Sequence, residues 1–123
     1  MEEGFELFGD RETDRLAKLL SEEIKKSREY VYYTKCLAEL QQEPELYAEV
    51  NELRRVNFEL QNSNNSNMSY EQYAQISARI TNLRKNPLVS RFLNSELGIG
   101  RLVSNVYRQV IEDIELDFDF LDD

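Results

Sequence analysis

Two blocks of roughly thirty residues, 13–42 and 87–116, repeat apolar residues at helical spacing with no internal proline. In the first, Leu16, Leu20, Ile24, Ser27, Val31, Thr34 and Ala38 fall within one arc of about 80° at ~100° per residue. Leu19, Tyr30, Tyr33, Leu37 and Leu40 form a second shoulder beside it. In the last block Val89, Phe92, Leu93, Ile99, Val103, Tyr107, Val110 and Ile114 share a broad apolar face. At ~1.5 Å per residue each block would be a rod of roughly 45 Å, longer than the ~30 Å body expected of a chain this size. The pattern predicts an elongated hairpin-like monomer that buries its remaining apolar faces against a partner.

Punctuation between the blocks predicts two shorter helices. Glu43-Pro44 ends the first helix and opens a second, because the residue before proline avoids the α region and proline suits the first helical position. Leu46, Val50, Leu53, Asn57 and Leu60 form its stripe, and the polar run 62–67 is the hairpin tip. Ser69-Tyr70-Glu71-Gln72 reads as a capping box opening a third helix with Tyr73, Ile76, Ile80 and Leu83 inward. Asn86-Pro87 opens the fourth. The expected spans are 13–42, 44–62, 70–86 and 87–116. Gly98 and Gly100 lower helix propensity by ~1 kcal/mol each, but the apolar phase runs through them, so one helix is predicted. The organisation is an acidic arm at 1–12, where Phe5, Leu7 and Phe8 could dock, an all-α domain of about four helices at 13–116, and an acidic tail at 117–123.

Composition narrows the chemistry. The chain has 123 residues, 41% hydrophobic and 32% charged, without Trp and with four Gly and two Pro, which gives a sheet little support. Its net charge of −9 is concentrated at the ends: residues 112–123 hold seven acids and no base. Residues 61–111 are basic, with Arg79, Arg84, Lys85, Arg91, Arg101 and Arg108 against Glu71 and Glu96. An acidic chain is a poor nucleic-acid binder, and these bases scatter around both helices. His is absent, removing the commonest general base and metal ligand. No apolar run approaches the ~20 residues that span a bilayer, and the acidic first residues do not resemble a signal peptide, so a cytoplasmic location is expected.

Few residues stand out as candidate functional positions. Glu96 lies in the middle of the fourth helix's apolar stripe, where a carboxylate either sits at the edge that meets solvent or pairs with a cation such as Arg54; a mostly buried side chain with a structural or recognition role is expected. Gly100 is on the same face, where a missing Cβ permits close helix approach. Gly98-Ile99-Gly100 lies inside a helix and lacks the preceding strand of a dinucleotide site. Cys36, the lone cysteine, falls opposite the main stripe and is expected to be partly exposed and inert. One thiol excludes an internal disulfide or thiolate cluster and leaves open only a metal site shared between subunits. Tyr30, Tyr32 and Tyr33 amid Lys25, Lys26, Arg28 and Lys35 read as a salt-laced face, since Glu22, Glu23, Glu29 and Glu39 interleave. The shoulder Leu19, Tyr33, Leu37 and Leu40 is the expected interaction surface, with Glu96 and Gly100.

The string Leu16-Ala17-x-Leu19-Leu20, Ile24, Ser27-x-Glu29-Tyr30-x-x-Tyr33, then Asn86-Pro87-Leu88-Val89 and Phe92-Leu93-x-x-Glu96, resembles the bacterial YlbF/YmcA family of cell-fate and competence regulators. The resemblance covers residues 13–116. It implies small cytoplasmic all-α proteins without enzymatic activity that self-associate or join relatives. Some members modulate mRNA processing through an endoribonuclease. Members with an iron–sulfur cluster use several cysteines, so no cofactor is expected here. The expected function is that of a helical adaptor whose partners are a second copy, related regulators or a ribonuclease complex. The alternative is an RNA-binding accessory factor that uses the basic third and fourth helices.

Overall fold

A computed structural model describes residues 11–62 and 69–121. The residues expected to form the docking arm and most of the hairpin tip lie outside the described ones. Within them the chain is all-helical: α1 Arg11–Lys25, α2 Arg28–Gln41, α3 Pro44–Asn62, α4 Tyr70–Leu83 and α5 Pro87–Glu112, followed by a single 3₁₀ turn Asp119–Leu121.

Most boundaries follow local chemistry. Pro44 and Pro87 open α3 and α5. The Asn86 side chain accepts the Leu88 N–H at 2.9 Å. At Ser69 both halves of the capping box form: Ser69 Oγ accepts the Gln72 N–H, and Gln72 Oε1 accepts the Ser69 N–H. α5 passes through Gly98 and Gly100 as one helix. α4 stops at Leu83, short of the expected 86, because tighter turns take over: the Lys85 and Asn86 N–H groups reach Asn82 and Leu83. α5 stops at Glu112 rather than 116, where consecutive acids oppose the negative end of the helix dipole.

The largest departure is at Ser27. The expected helix 13–42 is two helices, because Ser27 is extended (φ −65°, ψ 153°) and caps both sides of a break. Its Oγ donates to the Ile24 carbonyl at 2.6 Å and accepts the Tyr30 N–H at 3.1 Å. A serine hydroxyl competes well for backbone groups, and here it satisfies one orphan from each helix. The 45 Å rod becomes two segments of roughly 22 Å and 21 Å, and only α5 keeps the length that implied an elongated body.

The break also resets the helical phase. Apolar positions of α2 cannot be counted from Leu16. They follow their own face, Tyr33, Cys36, Leu37 and Leu40, at i, i+3, i+4 and i+7. Cys36, expected to be partly exposed, is 2% exposed inside the core. Leu40, expected on an open shoulder, is fully buried, and Tyr33 and Leu37 pack against the core. The core joins Cys36 and Leu40 of α2 to Val50 and Leu53 of α3, Leu83 of α4, and Val89 and Phe92 of α5.

Buried positions of α2 lie in its C-terminal half and those of α5 in its N-terminal half, so the principal helix pair, α2 with α5, meets at those ends. Ser95, the one buried polar residue there, is satisfied by donating to the Phe92 carbonyl at 2.7 Å. α1 packs against α2 near their joint and has no buried residue. The rest of α5 overhangs the core.

Replacing the capping hydroxyl tests the break. Ser27→Ala should lower stability by about 1 kcal/mol, seen as a reduced urea midpoint at unchanged slope. An unchanged midpoint would mean that the hydroxyl does not maintain the junction.

Candidate functional site

Glu96 is reached from α3. Arg54 Nη2 donates to Glu96 Oε2 at 2.5 Å, tying two helices whose partners are 42 residues apart in sequence. The arginine is held from three sides: Nη1 donates to Asn51 Oδ1 at 2.9 Å, and the guanidinium lies 5.0 Å from the centroid of the Phe92 ring. Phe92 in turn contacts the Tyr33 ring at 5.7 Å. A cation over an aromatic face adds about 0.5–1 kcal/mol when partly exposed. The chain of contacts Glu96–Arg54–Phe92–Tyr33 therefore links α5, α3 and α2.

The expected partner of Glu96 is correct, but its expected burial is not. The two side chains are 38% and 36% exposed, placing the pair at the rim of the core. Below them is an apolar cleft of about 200 Å³ between α3, α4 and α5, lined by Leu53, Ile80, Leu83, Val89 and Leu93. On the other side of Glu96, Leu97, Gly100, Arg101, Ser104 and Arg108 form a shallow groove along α5. Of the six bases in the second half, only Arg101 and Arg108 share this groove.

Gly100 does not serve the expected close helix approach, since it is exposed and an added Cβ would meet nothing within 4 Å. The residues expected to form one interaction shoulder are divided: Leu19 is exposed on α1, whereas Leu40 is interior. The expected open shoulder holds at Leu19 in α1 but not in α2, where Tyr33 and Leu37 pack against the core and Leu40 lies inside it. Leu16, Leu19 and Leu20 of α1 and Leu97, Val103, Tyr107, Val110 and Ile111 of α5 are among the large apolar residues left outside, as are Phe58 of α3 and Tyr70 and Tyr73 of α4.

The titratable groups offer little for catalysis. Contact with the Cys36 thiol, reinforced by desolvation, pushes the Tyr32 hydroxyl up from its ordinary value. Hydrogen bonds with Asn51 and Gln41 lower that of Tyr47. Both are structural contacts within or next to α2. Among the described residues no cluster of three His, Cys, Asp or Glu side chains could hold a metal ion. With Cys36 enclosed, its thiol is not presented to a shared site between subunits. No helix among them is long and apolar enough to cross a membrane.

The family model described as control of competence regulator ComK, YlbF/YmcA, matches residues 14–115, nearly the span over which the sequence motifs carry the resemblance. No curated protein and no solved structure gives a significant match.

A double-mutant cycle with Arg54→Met and Glu96→Gln should give a coupling energy of at most about 1 kcal/mol, because solvent screens a pair this exposed. Several kcal/mol would indicate a desolvated pair. Cys36 should react with a disulfide reagent at least ~100-fold more slowly in native protein than in urea. Equal rates would place the thiol outside the core.

Proposed function

This chain belongs to the YlbF/YmcA family, and we propose that it is a non-catalytic helical adaptor that regulates competence and mRNA processing through contacts with other proteins. The observation that carries this reading is the amount of apolar helix surface left open among the described residues: α1 buries no residue, and α5 buries none beyond Ser95. Large contiguous apolar patches on a folded chain mark surfaces that meet a partner, and the exposed apolar residues of α1 and α5 recur at helical spacing along each helix. The proposed partners are a second copy, related regulators or a ribonuclease complex, in the cytoplasm. Glu96 with Arg54 ties α5, which presents one of these surfaces, to α3 and is exposed enough to touch a partner.

Deleting the gene in its own host should reduce the level of the competence regulator and the transformation frequency, with restoration by the intact gene. Unchanged transformation in the deletion strain would sink the reading.

Direct RNA binding is the rival reading, favoured by the groove that Arg101 and Arg108 share. Labelled single-stranded RNA titrated against the purified chain should bind weakly, with no steep salt dependence. Tight binding whose logarithm falls with a slope of several units against log salt would favour the rival.

A further inference from the structure

Two features at the far end of α5 complement each other. The first is the groove lined by Leu97, Gly100, Arg101, Ser104 and Arg108, which joins the cleft between α3, α4 and α5 through Glu96 and Leu97. At ~100° per residue, Gly100 and Ser104 form a low floor between two flanks, with Arg101 and Arg108 on one side and Val103 and Tyr107 on the other. The space over that floor is open, since a Cβ added to Gly100 would meet nothing within 4 Å. Neither arginine has an ion pair among the described residues.

The second feature is the segment that follows the helix. Glu115, Asp117 and Asp119 alternate with Ile114, Leu116, Phe118 and Phe120. An extended backbone therefore puts the acids on one side and the apolar residues on the other. In the structure every residue of 114–121 is exposed, Phe118 by 53% and Phe120 by 73%. Its hydrogen bonds are local: Asp117 Oδ1 accepts the Asp119 N–H, and the Leu121 N–H donates to the Phe118 carbonyl.

We propose that residues 113–121 fold back along α5 as a strap that closes the groove. The acids meet Arg101 and Arg108, the apolar side covers Val103 and Tyr107, and Phe120 reaches the mouth of the cleft at Leu97. This goes beyond the adaptor reading: it gives the groove an internal occupant that an acidic partner has to displace.

Length, register and charge select this segment. From Glu112 back to Leu97 the helix measures about 22 Å, and residues 113–120 span about 26 Å when extended. At about 3.3 Å per residue, Glu115 comes level with Arg108, and Asp117 and Asp119 bracket Arg101. Charges of opposite sign face each other along one flank, while the alternation turns the apolar residues toward the other. Tethering supplies the rest, because a segment joined directly to its site is present there at an effective concentration on the order of millimolar. A free peptide of the same chemistry has no such advantage.

The chain has no tryptophan, so Phe120→Trp introduces a sole indole into the full protein. The experiment is acrylamide quenching of that indole at about 10 mM salt, where screening extends to about 30 Å. Acrylamide is neutral, so the readout does not respond to charge itself. Quenching should be about threefold weaker than for free N-acetyltryptophanamide, as for a strap closed about two-thirds of the time. Adding Arg101→Glu and Arg108→Glu, both at exposed positions, should abolish the protection, with circular dichroism verifying an unchanged helix. Adding Glu115→Arg and Asp117→Arg to that variant should restore it. Protection should also persist over about a hundredfold dilution, because an internal contact is independent of protein concentration. The proposal is overturned by an indole quenched as freely as the reference compound, by protection that survives the arginine reversals, or by a charge swap that restores nothing. Protection lost on dilution also overturns it, since the strap would then come from another chain. None of these outcomes depends on competence in the host.

Discussion

The structure depends on the burial of Phe92. This one ring meets the principal helix pair and is touched by a third helix through Arg54, so removing it would uncouple α2, α3 and α5 together. Around it the core is small, seven apolar residues from four helices among the described residues, and it lies at the end where α2 finishes and α5 begins. A core of that size leaves a narrow margin, since deleting a large buried aromatic costs about 3–5 kcal/mol out of a typical 5–15. Its position also means that much of the remaining apolar surface is distributed along helices rather than gathered inside.

What could be read in the residues was whatever local chemistry dictates. Prolines at first helical positions, the Asn86 cap and the Ser69 box act over three or four residues, and each lies where its chemistry requires. The Arg54–Glu96 pair was legible for a related reason: a carboxylate on an apolar stripe must find a cation, and Arg54 is on the facing helix. Ser27 was misread because a small residue on an apolar stripe looks like a core position, and only backbone geometry reveals that its hydroxyl is bonded to both neighbouring helices. That single misreading carried the phase of α1 into α2. It displaced Cys36 to the outside and turned Tyr33, Leu37 and Leu40 from core into surface. The depth of Glu96 was out of reach for another reason, since periodicity gives a side chain's direction but not how far the neighbouring helices extend over it.

Family membership and structure bear on different levels of function. The match over 14–115 places the chain in the YlbF/YmcA family, whose model is described as control of competence regulator ComK. The structure shows apolar residues left exposed along α1 and α5 and a polar contact, Arg54–Glu96, that joins α5 to α3. The acid-rich ends add a separate property. With seven acids in residues 112–123 and a slight positive excess in the body, the tail's field opposes the approach of other polyanions to the Arg101–Arg108 groove.

The continuity of α5 gives the molecule a mechanical character. Neither glycine introduces a positive φ, and the helix runs without interruption from the core to its free end. It is therefore a lever with its fulcrum at Phe92. From there to Tyr107 the arm is roughly 22 Å long, so a tilt of about 10° at the fulcrum sweeps the far end through roughly 4 Å. The Arg54–Glu96 pair joins α5 to α3 one turn beyond that fulcrum, so the angle at which α5 leaves the core sets where its far end lies.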